Sequence, residues 1–316
     1  MALITSLTKK FGINHPIMLA PMGGVAGGEL AASVSNAGGL GIIGAGYGDI
    51  DWLRRELDLL KRKTQKPWGI GFITWTLTQE VFDLAMSYSP HLVMLSFGDV
   101  TPWAAQVHTK KIPLFCQVQD LNSAFEVRDK GADFIVAQGS EAGGHGSNHR
   151  STLSLVRGIV DHIPGIPVIA AGGIADGKSL AAVLNMGAQG ASIGTRFYAS
   201  FQSMAHYRLK ERIVECSGDD TIRTHVFDVV REIPWPSQYS GRAITNKFVA
   251  RWHGNENDLK RFLPKNQASF YSAQDAADPT MAVVWAGECI DSITDILDAG
   301  DIVRNIGREA EALINS

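Results

Sequence analysis

The sequence predicts an α/β fold, a (β/α)8 TIM barrel carrying a mostly helical insertion after its eighth strand. Three observations point there. Eight strand-like runs alternate with helix-like segments across residues 16–197, the order that parallel β/α units require. The runs are apolar from end to end instead of alternating with polar residues, as strands covered on both faces are. The alternation stops after Phe197, and eight units in about 200 residues suit a closed barrel better than a doubly wound open sheet.

In chain order, PIMLAPM (16–22) is followed by the Ala-rich GELAASVSNAG, and GLGIIGAG (39–46) by the amphipathic DIDWLRRELDLLKRKT. WGIGFI (68–73) precedes TQEVFDLAMSY, LVMLSFG (92–98) precedes TPWAAQVHTK, and PLFCQV (113–118) precedes DLNSAFEVRDKG. DFIVAQG (133–139) leads into EAGGHGSNH and then TLSLVRGIVDHI. PVIAAGG (167–173) precedes DGKSLAAVLNMG, and GASIGTRF (190–197) is the eighth run. Residues 199–280 are irregular, with the turn-rich REIPWPSQYSGRAITN. They are expected to form a helical insertion covering the face where barrel enzymes place their sites. Apolar periodicity in MAVVWAGECIDSITDILDAGDIVRNIGREAEALINS predicts a helix pair returning to the barrel, so that residues 1–198 and 281–316 form one barrel domain.

Composition narrows the function. The chain has 316 residues, 45% of them hydrophobic, and a formal net charge of −3, enough apolar residue for a large core and no basic field for nucleic acid. No apolar stretch reaches the roughly 18 residues a bilayer span needs, and MALITSLTKKFGINHP lacks the layout of a secretory signal. Three scattered cysteines, Cys116, Cys216 and Cys289, fit a reducing compartment. A soluble, cytoplasmic protein without nucleic-acid or membrane partners is expected.

The strand ends carry the candidate site. The first run ends in APMGG (Ala20, Pro21, Met22, Gly23), the sixth leads to AQGSEAGGH, the seventh ends in AAGG and the eighth in SIGT. Small residues at successive strand ends keep that face open for a wide, flat ligand. Single glycines there can serve only as tight turns. Gly172, Gly173, Gly194 and Thr195 follow the seventh and eighth runs, with Ala171 and Ser192 beside them, where barrels frequently bind phosphate. His145 is flanked by Gly143, Gly144 and Gly146. A histidine needed only for packing rarely has glycine on both sides, so it is the candidate catalytic base. His149 lies four residues on, but Gly146 and Ser147 weaken the helix that would align the pair, and no metal is expected. Gln117 and Gln138 read equally as ligands for a heterocycle edge or as turn stabilisers. Glu141 reads as an orienting or solvated carboxylate, and Cys116 as buried and inert. GLGIIG matches a dinucleotide fingerprint, but its glycines lie within the strand and the helix starts only near Asp49, which argues against that role.

The motifs PIMLAPMGG, GGLGIIGAG, AQGSEAGGHGS, PVIAAGGIADG and GAQGASIGTRF, in this order, resemble the nitronate monooxygenase family, formerly 2-nitropropane dioxygenases. The resemblance covers nearly all of the first 200 residues, and VVWAGECID near the end is similar as well. It implies an FMN-dependent barrel acting with O2 on a small nitronate or nitroalkane, and leaves open a homodimer. Ala20, Pro21, Met22, Gly23 and Gly143 would contact the flavin, with Gly144 beside them. Gln117 and Gln138 would lie near its polar edge or ribityl chain, and Gly172, Gly173, Gly194 and Thr195 would hold its phosphate. His145 matches the catalytic histidine. Two positions depart from the pattern: Gly71 stands where many members have Asn, and Gln117 where some have Lys. The alternative on the same fold is an NADH:quinone reductase or a flavin-dependent enoyl-ACP reductase.

Overall fold

The computed structural model describes residues 3–316. Eight strands run parallel in one sheet: β1 (Ile17–Leu19), β2 (Gly41–Gly44), β3 (Trp68–Ile73), β4 (Leu92–Ser96), β5 (Leu114–Val118), β6 (Phe134–Gln138), β8 (Val168–Ala171) and β9 (Gly190–Ile193). β7 (Gly144–Gly146) lies outside this sheet. β1 pairs with β9 from Ile17↔Ala191 to Leu19↔Ile193. The ring closes on its other side through a parallel bridge between Met18 and Leu40, with Leu19 N–H donating to Leu40 O and Leu40 N–H to Ile17 O, both at 2.9 Å. The expected (β/α)8 barrel is therefore present. β2, β4, β6, β8 and β9 are buried at every position, which accounts for their unbroken apolar runs.

Helix Ile50–Lys63 shows how the outer layer is specified. Asp49 caps it by accepting from Trp52 N–H, and Leu53, Leu57 and Leu60 form its buried stripe. The glycines of GLGIIG serve packing. A Cβ at Gly41 would run into the Ala31 carbonyl of helix Gly28–Asn36, and one at Gly44 would lie 2.7 Å from the Met22 backbone. Helix and strand meet here without side chains between them, so close packing accounts for the fingerprint-like spacing.

Residues after β9 depart from the sequence expectation in two ways. The inserted segment contains helices, including Tyr207–Glu215, Val226–Arg231 and Leu263–Asp275, but also the antiparallel pair β10 (Thr221–Thr224) and β11 (Ser240–Ile244). β7, from the glycine-rich loop of the barrel, adds to β11 with His145 opposite Gly241. The expected returning helix pair is a single helix, Ala299–Ile314. Residues 283–286 are extended, with Trp285 bridging Ala243, and the apolar pattern of 281–286 has period two. Ala282, Val284 and Ala286 pack into one small core, while Val283 enters another with Met281 and Trp285 against it. Ile244 N–H donates to Val284 O at 2.9 Å, so this segment continues the β11 edge where β7 stops.

Gly41→Ala is expected to lower the unfolding free energy by about 2 kcal/mol through overpacking between β2 and helix Gly28–Asn36. Chemical denaturation midpoints measure this, with an unchanged denaturant slope showing that the effect is on stability.

Candidate active site

A cleft of about 1280 Å³, its open mouth included, lies at the C-terminal ends of the barrel strands. The barrel contributes Ala20, Pro21, Met22 and Gly23 after β1, Gly71 from β3, Gln117 from β5 and Gln138 from β6. Gly143, Gly144 and His145 come from the following loop, Ala171, Gly172 and Gly173 from β8, and Ser192, Gly194 and Thr195 from β9. The residues expected to hold the cofactor, together with His145, thus line one cavity.

The floor is built from close backbone approaches. Ala20 N–H donates to Ile193 O at 2.9 Å, fixing the segment after β1 across the β1–β9 seam. A Cβ at Gly23 would stand 2.8 Å from Gly46 Cα, and one at Gly71 would strike the Pro21 ring. Position 71 thus exchanges a side chain for the close seat of Pro21. At the β8 and β9 ends, Gly172 and Gly173 have φ of +102° and +73°, a conformation glycine adopts freely. Ser192 is buried at 3% exposure, and its hydroxyl has no partner among the described residues.

Several expected ligands also have structural duties. Gln138 donates from Nε2 to His145 O at 2.9 Å and accepts from Gln117 and Gln119, at 3.1 and 2.8 Å. Its turn-stabilising reading is therefore realised. Gly143 has no room for a side chain, because a Cβ would lie 2.6 Å from both Ala286 C and Gly287 N. Thr195 Oγ1 accepts from Gly287 N–H at 3.0 Å, and its hydroxyl also bonds the Cys289 thiol. Glu141 accepts from the Thr152 amide and hydroxyl, so it orients the loop. Burial pushes the Cys116 thiol up to about 12, in keeping with an inert core residue. His149 is exposed, and among the described residues no group of three or more His, Cys, Asp or Glu could hold a metal ion.

The loop carrying His145 is held by two buried arginines from the inserted strands. Arg223 donates to the carbonyls of Ser140 (3.1 Å), Ala142 (3.1 Å), Gly144 (3.4 Å) and Ser240 (2.8 Å). Arg242 donates to Ser140 O at 3.2 Å and pairs with Glu288 at 2.8 Å. Burial lowers the Arg223 guanidinium to about 10, which still leaves it charged at neutral pH. The carbonyls of a glycine-rich turn are thus satisfied by cations that follow β9 in sequence.

His145 Nε2 lies 2.9 Å from both carboxylate oxygens of Asp228 on helix Val226–Arg231. A carboxylate only accepts, so Nε2 carries the proton and Nδ1 keeps its lone pair. Arg231 donates to Asp228 Oδ1 at 2.9 Å and to Phe227 O at 2.8 Å. Burial pulls the imidazole pKa below the ordinary histidine value, against the opposing hydrogen bond and charge of Asp228, so the ring is neutral at pH 7. The Trp235 indole stacks on it with centroids 3.7 Å apart and planes 6° from parallel.

Sequence reasoning missed Tyr47, Ser96, Phe97, Asp228, Arg231, Trp235 and Trp285, all but Asp228 in the cavity wall. The only local signals were the Asp228–Arg231 spacing of one helical turn and a tryptophan between two prolines in IPWP.

A family model described as nitronate monooxygenase matches residues 5–85 and 72–309. A nitronate monooxygenase of Neurospora crassa is 30% identical, covering 95% of this chain and 90% of its own length. Among solved structures, FabK from Thermotoga maritima superposes with a TM-score of 0.85 at 28% identity, covering 99% of this chain and 97% of its own. A nitroalkane oxidase from Streptomyces ansochromogenes does so with a TM-score of 0.82 at 26% identity, covering 97% and 98%.

Arg223→Met is expected to lower stability by about 3 kcal/mol, the cost of losing charge-assisted bonds to buried carbonyls. Hydrogen exchange should quicken at residues 143–146 before it does in the barrel strands.

Proposed function

The chain belongs to the nitronate monooxygenase family and is an oxidoreductase; from that membership and the geometry of the cavity we propose that it oxidises alkyl nitronates, and neutral nitroalkanes, with FMN and O2, to carbonyl compounds and nitrite. The observation that carries the reading is a neutral imidazole, buried in the cavity wall and fixed by a carboxylate at Nε2.

The residues present fit FMN. Two features of the cavity support this: the Ser192 hydroxyl has no partner among the described residues, and the left-handed Gly172 and Gly173 leave backbone amides close to the Thr195 hydroxyl at the strand ends. Gly172, Gly173, Gly194 and Thr195 would hold the phosphate, Ala20 to Gly23 would pack by the ring, and Gln117 would serve its polar edge. When bound, FMN supplies the electron-accepting chemistry that no side chain here provides.

The protein's own contribution is proton transfer. His145 Nδ1 removes the α-proton of a neutral nitroalkane as general base, while Asp228 fixes the tautomer and steadies the imidazolium that forms. Arg231 keeps that carboxylate in place and limits how far Asp228 raises the imidazole pKa. A substrate that arrives as the preformed nitronate needs none of this.

His145→Asn is expected to reduce turnover of neutral nitroalkane by about 10³-fold and leave preformed nitronate within several-fold. Equal loss on both substrates, or equal retention, removes the base assignment. For the wild type, kcat/KM with neutral nitroalkane should rise with pH through a midpoint below the ordinary histidine value, because only the unprotonated ring accepts a proton. Asp228→Asn removes the groups that raise this pKa, so the midpoint should move lower still. The plateau should fall about 10²-fold, since the Asn amide can donate to Nε2 and force the proton onto Nδ1. Purified protein should show a flavin absorbance spectrum that bleaches anaerobically with nitronate. Bleaching by NADH and not by nitronate would overturn the proposal in favour of a reductase.

A further inference from the structure

We infer that the rim of the cavity is an aryl subsite, selecting nitronates that carry an aromatic group over short aliphatic ones. This rests on the nitronate reading above and adds the substrate class. Tyr47, Phe97, Trp235 and Trp285 all line the cavity, and Trp235 is the centre of the group. Its indole meets Phe97 edge-on at 5.1 Å and 82°, in the T-shaped arrangement that aromatic pairs prefer. Its Nε1 donates to the Tyr47 hydroxyl at 2.9 Å. Trp285 also tilts against His145, with centroids 5.2 Å apart.

The polar groups of these four rings and of Arg231 are largely tied to the protein. The Tyr47 hydroxyl receives the indole N–H and also bonds Arg231, whose other N–H groups reach Asp228 and Phe227. Apart from the Ser96 hydroxyl, this wall presents mostly flat aromatic surface. A two-carbon chain leaves most of it uncovered, whereas a phenyl ring can meet these faces and edges. The backbone agrees with this. Phe97 sits at φ +62°, a left-handed conformation that costs a bulky residue and is held by its surroundings. That conformation accompanies a ring packed on both Trp235 and Tyr239, at 5.1 Å each. Tyr47 is 44% exposed, so the rim is reachable from solvent.

The test compares the preformed nitronates of 2-phenylnitroethane and nitroethane, which bypass the base. The wild type should favour the phenyl compound at least tenfold in kcat/KM. Trp235→Ala should lower that ratio about tenfold, as should Phe97→Gly, which removes the ring while relieving the backbone. A wild-type ratio near one, or a ratio unchanged in both variants, overturns the subsite. Binding of unreactive 3-phenylpropionate and propionate, followed by tryptophan fluorescence, reads the rim without turnover. Phenylpropionate should bind at least tenfold tighter, and Phe97→Gly should erase the difference. Equal binding sinks the subsite even if nitronates are oxidised, and absent turnover with preserved aryl preference sinks only the nitronate reading.

Discussion

The hydrogen bond between His145 Nε2 and Asp228 joins two parts of the chain 83 residues apart, and the rest of the site is arranged so that it can form. The histidine comes from a barrel loop and the carboxylate from a helix that follows the eighth barrel strand. Pairing of β7 with β11 sets their register, with His145 opposite Gly241. Burial alone would leave a neutral imidazole free to carry its proton on either nitrogen. The carboxylate chooses the nitrogen, and burial keeps the pair from settling as an ion pair. Base strength at Nδ1 depends on both effects acting together.

Such an arrangement requires a backbone turn close to other backbone, with its carbonyls satisfied away from water. Glycine meets the first requirement. Gly143 admits residues 286–287, and Gly241 leaves space that a Cβ would contest with the Trp285 ring. Arg223 and Arg242 meet the second by donating to carbonyls of the turn and of β11. These arginines appear as ordinary charges in the sequence, yet each is less than one-tenth exposed. Burying a guanidinium is tolerable here because several oxygens receive it.

Much of the barrel was legible because its signal is local. Eight apolar runs and the small residues at their ends follow from covered parallel strands and an open mouth, and the cavity gathers the strand-end residues expected at the cofactor. The partners of His145 were not legible. Asp228, Trp235 and Trp285 reach it only through folding of a segment whose strands are short and whose contacts are long-range. The stretch 281–286, extended from 283 on, was misread for a related reason. Its alternate residues enter two different small cores, so an apolar run that looked helical is governed by period two. β7 escaped notice because Gly-His-Gly carries no strand propensity, and its partner strand imposes the conformation.

The most direct test of the central claim is the nitrogen NMR spectrum of the His145 ring, recorded on selectively labelled protein across the neutral range. The account predicts an unprotonated Nδ1 and a protonated Nε2 at pH 7, with this pattern lost in Asp228→Asn. A ring protonated at both nitrogens at pH 7, or one carrying its single proton on Nδ1, would contradict it.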